Sequence, residues 1–334
     1  MKTAKRVLAA ALFLILLCAL LFLCNRVFLR KSLSGAWDMT NKIAGFYNEP
    51  AEEFEVMFFG SSHAYASFSP LELWHETGVK SYVFATQQQP MWATYHYILE
   101  ALKTQSPSLI VVEVQTMALT EDASEPSVAH SYLDDLPPSM NKLALIRASD
   151  AGDALPEYLF PLIRYHDRWD ELTPIDFTFR RSDARDPYKG YVLLPETGFT
   201  PTRYEAAGFE VLLHRKSLDY LMKIASLCRE RGIGLWLVKA PSNPEPEHQA
   251  VFLTLAAALA RDGISFDDFS RDPDALGLSL QADYYDQHHL NAPGAQKFTD
   301  RFAAMLTDRY PNLKTDPDDP RWQADYEAYA AAMQ

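Results

Sequence analysis

Val7 to Cys24 is an unbroken run of eighteen apolar residues, VLAAALFLILLCALLFLC. As an α-helix it reaches about 27 Å at roughly 1.5 Å per residue, close to the hydrocarbon thickness of a bilayer. Lys2, Lys5 and Arg6 would serve as the basic region of a signal peptide. However, the run is longer than a usual signal core, and no small-x-small cleavage site comes after it. Cys24 also lacks the small preceding residue that lipoprotein processing needs. We therefore read residues 7–24 as an uncleaved transmembrane anchor inside a 1–31 segment. Three basic residues precede the run and three lie beyond it (Arg26, Arg30, Lys31), so loop charge does not orient the span. The body is placed outside the cytoplasm because a single N-terminal anchor commonly exports the remainder of its chain.

Those six basic residues come with no acidic residue up to position 31, which leaves 25 basic against 44 acidic residues in the body, a formal charge of −19. A body that acidic repels a phosphate backbone, and no basic stripe offsets it, so no nucleic-acid partner is expected. Cys18 and Cys24 lie in the apolar run and Cys228 is alone in the body. That excludes an intradomain disulfide and a cysteine-based metal site without deciding the compartment.

Residues 32–53 read as a juxtamembrane helix and connector. Beyond them, short apolar runs alternate with helical patterns. Glu55–Gly60 (EVMFFG), Ser81–Ala85 (SYVFA), Ser108–Val114 (SLIVVEV), Ile233–Lys239 (IGLWLVK) and Ile264–Phe266 read as strands. Helices are expected from Pro70–Glu76, Pro90–Thr104, Leu218–Arg231, Pro246–Arg261 and Pro293–Arg309, with Ser61–Pro70 as a loop. Five strands alternating with helices predict a parallel, doubly wound α/β sheet over residues 54–314. Residues 117–215, rich in Asp, Pro, Tyr and Arg, break the rhythm after the third strand and read as a long insertion or cap over the sheet's edge. The acidic tail 315–334, with Trp322, Tyr326 and Tyr329, is expected to pack a short helix on the body.

In a doubly wound sheet, functional groups collect at the carboxyl ends of the strands. The first strand ends in Gly60-Ser61-Ser62-His63. A serine hydroxyl is a poor nucleophile alone and needs a base in reach and a third group to orient that base. Asp286-Gln287-His288-His289-Leu290-Asn291 supplies both from one segment, just before the last helix. Asp286 three residues ahead of His289 can hold one imidazole nitrogen while the other faces Ser62. His288 is the rival base. His63 is expected to point away from the crevice if Ser62 points in. Neither short motif is specific alone; their joint placement carries the argument. Lys239, ending the fourth strand, reaches the same crevice edge. Tyr165, His166 and Arg168, within YHDRW, suit either a substrate rim for sugars or acyl-phosphates or a packing knot between insertion and core. Adjacent histidines rarely aim at one ion, so no metal is expected.

This placement resembles the SGNH/GDSL hydrolase superfamily. Its first block is matched by Gly60-Ser61-Ser62 and its last by Asp286 and His289. The resemblance covers 54–115 and 216–310 and omits the insertion. The anchor, the Gly-Ser-Ser-His form and His289-Leu290-Asn291 with Gly294-Ala295 look like its membrane-anchored branch. That branch includes the D-alanyl transfer protein of teichoic acid modification and SGNH partners of membrane-bound O-acyltransferases. The resemblance implies a flavodoxin-like three-layer sandwich, the SGNH hydrolase fold, with Ser62, His289 and Asp286 as a catalytic triad needing no cofactor. It implies acyl transfer on a cell-envelope polysaccharide or glycopolymer, with the membrane and a membrane-bound O-acyltransferase as partners. An SGNH esterase or deacylase, and a non-catalytic glycan-binding or scaffold protein on the same fold, are the alternatives. Two blocks depart from the pattern. The stretch Phe84–Pro90 (FATQQQP) has no oxyanion glycine, and Glu113-Val114-Gln115-Thr116 stands where the superfamily has Gly-x-Asn-Asp. Gln88 or Gln89 is the side chain that could donate to an oxyanion instead.

Overall fold

The computed structural model describes residues 2–29, 40–119, 124–149, 155–177 and 185–333. Residues 30–31 of the anchor segment and 32–39 of the expected juxtamembrane connector lie outside them, as do 120–123, 150–154 and 178–184 of the insertion. The first helix, α1 (Lys2–Phe28), has 27 residues and is the one helix among those described that is long and apolar enough to cross a membrane. At roughly 1.5 Å per residue it measures about 40 Å, more than the hydrocarbon core requires. Its apolar stretch is not covered by the rest of the protein. The connector beyond it contains α2 (Thr40–Phe46), whose Ile43 and Phe46 enter the core.

The core is a five-stranded, all-parallel sheet: β1 (Val56–Phe59), β2 (Ser81–Val83), β3 (Leu109–Glu113), β4 (Gly234–Lys239) and β5 (Phe266–Asp268). The order is β2-β1-β3-β4-β5, the flavodoxin-like doubly wound order. β1 and β3 are buried along their whole length, which is why they read as continuous apolar runs rather than alternating ones. Helix α3 (Ser62–Ser67) comes directly after β1 and α4 (Pro70–Thr77) leads to β2; α5 (Met91–Ala101) returns to β3. The insertion holds α6 (Pro126–Leu133), α7 (Met140–Ala148), α8 (Leu155–Leu159) and α9 (Leu162–Tyr165). The second half supplies α10 (Arg215–Arg231), α11 (Pro246–Arg261), α12 (Ala292–Arg309) and α13 (Pro320–Ala332). α12 packs against α3, α4 lies between α12 and α13, and α5 packs against α10. Right-handed crossovers put the α3–α4 and the α5–α10 groups on opposite faces.

Two boundaries differ from expectation for local reasons. Ser61–Pro70, expected as a loop, contains α3, because Ser61 caps the helix by accepting from the His63 N–H. The last strand is Phe266–Asp268, not Ile264–Phe266. Ile264 instead completes the end of α11, where its N–H reaches the Leu259 carbonyl and the Gly263 N–H reaches Ala260, with Gly263 at φ +68°. The sheet register then pairs Lys239 with Asp268.

The insertion has no strand among its described residues, and it divides in two. Its inner part joins the core: Tyr132, Leu133, Leu145 and Ile146 are buried, and Tyr97 donates to the Tyr132 carbonyl at 2.9 Å. Its returning chain threads between α3 and α12, where Val192 donates to the Tyr65 carbonyl and Ala292 donates to the Leu194 carbonyl. Its outer part, 155–177, lies at the end of α1. The tail packs as expected. α13 rests on α4, with Trp322 buried and donating to Glu53 at 2.7 Å.

Candidate active site

β1 and β3 meet at the point where the strand order reverses, the place where open α/β sheets put their ligand crevice. Gly60 ends β1 at φ +146°, a conformation L side chains rarely adopt. A Cβ there would sit 2.8 Å from the Glu113 Cβ and 2.9 Å from its carbonyl oxygen. The chain can therefore turn tightly at β3 and start α3 with Ser62 at the crevice floor.

The partner segment is a tight loop. Tyr284 and Leu290 form an antiparallel bridge, Tyr285 donates to the His289 carbonyl and Asn291 donates to Asp283. Asn291 caps α12 through the Gly294 N–H at 3.0 Å and donates to Ala282 at 2.6 Å. The Gln287 amide ties the tip to the Thr202 and Asn243 carbonyls, both at 2.8 Å. Asp286 Oδ1 accepts from the His288 and His289 backbone N–H groups at 2.8 and 2.9 Å.

On this frame the three expected groups come together. The Ser62 Oγ lies 2.8 Å from His289 Nε2, and His289 Nδ1 lies 2.9 and 3.0 Å from the two Asp286 oxygens. A carboxylate on Nδ1 fixes the proton there, which leaves Nε2 to accept from the serine O–H. Burial alone would raise the Asp286 carboxyl. The His289 hydrogen bond and charge, with the two backbone N–H groups, outweigh it and hold the carboxyl below its usual value. The rival His288 lines the same cavity, but its Nε2 lies 4.0 Å from Glu245, and it is His289 that meets Ser62.

Behind the serine is a buried network. Lys239 Nζ donates to the Ala240 carbonyl at 2.7 Å, lies 3.6 Å from Glu113 Oε1 and 3.2 Å from His63 Nδ1. Glu113 also accepts from the Ser61 hydroxyl and from the Gln115 and Ala240 N–H groups. Burial pushes the Glu113 carboxyl up and the Lys239 ammonium down, each opposed by the other's charge. His63 does not point away from the crevice as expected. Its ring lies 5.1 Å from that of His289, and it lines the same cavity. Successive residues on a helix diverge by about 100°, not the 180° of extended chain, so Ser62 and His63 can share one site. Burial first, then the Lys239 charge, hold His63 well below its usual value, so it is neutral. One turn along α3, the phenol of Tyr65 is buried on the same helix as Ser62, and burial raises it above its usual value.

The cavity over Ser62 has a volume of about 250 Å³ and is lined by His63, Gln88, Gln115, Thr116, Leu119, His248 and His289 among others. A second cavity of about 250 Å³, lined by Arg203, Ser242, Asn243 and Arg271, contains none of the three groups. Gln88 and Gln89, equivalent in sequence, separate here. Gln88 lines the first cavity at φ +46°. Gln89 faces the core, accepting from Thr86 and donating to Thr94, both at 3.1 Å. Lys239 is buried behind His63 rather than at the crevice edge.

Tyr165, His166 and Arg168 do not reach the crevice. Tyr165 donates to Asp134 at 2.6 Å, His166 Nδ1 bonds the Ile163 carbonyl, and Arg168 donates to the Phe28 carbonyl at the end of α1. The outer insertion is drawn to the helix terminus, whose open carbonyls attract a guanidinium. Glu113 is a site residue that no motif singles out. Its signal in the sequence is a charge ending so apolar a strand, which requires a buried partner, and Lys239 stands at the matching end of a later strand. One carboxylate cluster lies outside the crevice: Glu72, Glu76 and Asp300 place ligand-type oxygens within 4.8 Å of one another.

No curated protein matches the chain. A model of a protein family of uncharacterised function matches residues 209–311, which contain β4, β5 and the Asp286–His289 loop and less than a third of the chain.

Proposed function

We propose that the chain is a membrane-anchored, SGNH-type serine acyl-transfer enzyme that moves O-linked acyl groups on a cell-envelope polysaccharide or glycopolymer. One observation carries the reading. Ser62 and His289, 227 positions apart in sequence, meet at 2.8 Å with Asp286 on the far imidazole nitrogen. In the first half-reaction the Ser62 O–H proton passes to His289 Nε2 as Oγ bonds to the acyl carbonyl carbon. The tetrahedral oxyanion collapses, the donor's C–O bond breaks, and His289 returns the proton to the leaving oxygen. The acyl-serine is then resolved by a second hydroxyl, which gives its proton to His289 as its oxygen bonds to the acyl carbon; the C–Oγ bond breaks and His289 returns the proton to Ser62. A sugar hydroxyl gives transfer and water gives hydrolysis. Gln88, facing the cavity, is the side-chain donor for the oxyanion. The neutral His63 adds no positive charge beside His289, which favours the imidazolium formed in each half-reaction.

The α1 helix supports a membrane location, and we place the body on the outer face, where envelope glycans lie. A membrane-bound O-acyltransferase is the matching source of the acyl donor. A serine-directed fluorophosphonate probe tests the reading. Wild type is expected to label covalently, and Ser62→Ala and His289→Ala to lose the label. Equal labelling of Ser62→Ala, or an unlabelled wild type, overturns it.

A further inference from the structure

Among the described residues outside α1, twelve large hydrophobic side chains are exposed, and five of them fall within residues 155–177. They are Leu159, Phe160, Ile163, Trp169 and Phe177, with Phe160, Trp169 and Phe177 exposed by 60%, 72% and 58%. Large apolar side chains left exposed together in one short segment mark a contact with another phase or molecule. Its position says which. α9 and the 3₁₀ turn Pro174–Phe177 both pack on α1. Leu162 donates to the Asn25 side chain at 2.8 Å and Arg168 donates to the Phe28 carbonyl at 2.6 Å. Asn25 directly succeeds the apolar run that ends at Cys24. The segment that carries these side chains is therefore held at the end of α1, the level where a spanning helix leaves hydrocarbon and where Trp and other aromatics collect.

We infer that residues 155–177 are a membrane-interface platform whose five exposed apolar side chains seat in the headgroup–acyl boundary around α1. The inference rests on the anchor reading of α1 and is independent of the triad. The occupant is lipid because the segment packs against the end of α1, whose apolar stretch the rest of the protein leaves uncovered. The attraction is apolar rather than electrostatic. Residues 155–177 hold two basic residues (Arg164, Arg168) against five acidic ones (Glu157, Asp167, Asp170, Glu171, Asp176), and an excess of acid gains nothing from anionic lipid. Seating also has a route to the cavity. Asp134 joins Tyr165 of the platform to His130 of α6, and the next residue of α6, Ser131, donates to the Gln87 carbonyl beside Gln88.

The full chain, reconstituted in nanodiscs of zwitterionic phosphatidylcholine brominated high in the acyl chains, tests this through Trp169. α1 has no tryptophan, so wild type minus Trp169→Phe isolates the reporter. The difference emission is expected to fall about twofold or more in brominated against plain lipid, and high salt is expected to leave that fall unchanged. The Phe160→Ser/Ile163→Ser double variant, which keeps Trp169, is expected to show less quenching. A chain that floats with the discs but gives the same difference emission in both lipids overturns the platform and leaves the anchor standing. So does a Trp169 shielded from aqueous iodide yet unquenched by bromine, since a protein face then covers it. A chain that does not float overturns the anchor and the platform together.

Discussion

The crevice end of the sheet and the outer insertion handle the same problem in opposite ways. At the crevice, charged and polar groups are withdrawn from water and tied to one another: Glu113 to Lys239, Lys239 to His63, Asp286 to His289. In residues 155–177, apolar groups are left outside a core that had room for Tyr132 and Ile146 from the same insertion. Burying charge is expensive unless each group is paired, and exposing aromatics is unfavourable unless something else covers them. Each region departs from the ordinary globular pattern in its own direction, as chemistry at the crevice and placement at the membrane, the roles proposed for them, would require.

On this division the largest effects are expected at the crevice. Ser62→Ala or His289→Ala should lower acyl transfer by about 10⁴-fold or more with little change in unfolding temperature. The platform variants should leave the labelling rate of detergent-solubilised protein within about threefold; a larger drop there would erase the distinction. Next comes the buried pair. Glu113→Ala strands the Lys239 ammonium and should destabilise the body by about 3–5 kcal/mol in urea unfolding, whereas Glu113→Leu with Lys239→Met should recover more than half of that. A loss under about 1 kcal/mol for the single variant would show that the pair carries little charge.

The two glutamines sharpen the comparison within a single loop. Gln88→Ala should slow acyl transfer about 10- to 100-fold at unchanged stability, as removal of one oxyanion donor does. Gln89→Ala should instead leave the Thr86 and Thr94 hydroxyls short of a partner and lower stability by about 1–3 kcal/mol. Interchanged phenotypes would contradict the assignment of Gln88 to the cavity.

The smallest effect is a pH slope. His63 is neutral in the fold but protonates in the unfolded chain below its ordinary value of 6.5. The unfolded state thus binds the extra proton, and stability present above pH 6.5 is lost as pH falls towards the depressed folded value. That loss is about 1.4 kcal/mol per pH unit for one proton. His63→Asn should flatten the stability profile between pH 6.5 and pH 5 by up to that amount; an unchanged slope would place the proton elsewhere.

Much of this was legible in the residues. Continuous apolar runs ending in Gly60, Val114 and Lys239 announce buried parallel strands, and the joint position of Ser62 with Asp286 and His289 anticipates their meeting. The hidden remainder depends on angles and on partners distant in sequence. Whether His63 faces the crevice turns on Ser61–Pro70 being helix rather than loop. Whether Gln88 or Gln89 faces it turns on one positive φ. The side of the molecule chosen by Tyr165–Trp169 depends on the open carbonyls of a helix some 140 positions earlier, which no local pattern reports.

The loop from Tyr284 to Leu290 carries both the acid and the base, and its own bonds hold them together. Asp286 and His289 are therefore held to one another by contacts within the loop, and the carboxylate on Nδ1 does not depend on where the loop lies against Ser62. What is left to vary is the placing of the loop against Ser62, the one contact of the three that joins segments distant in sequence.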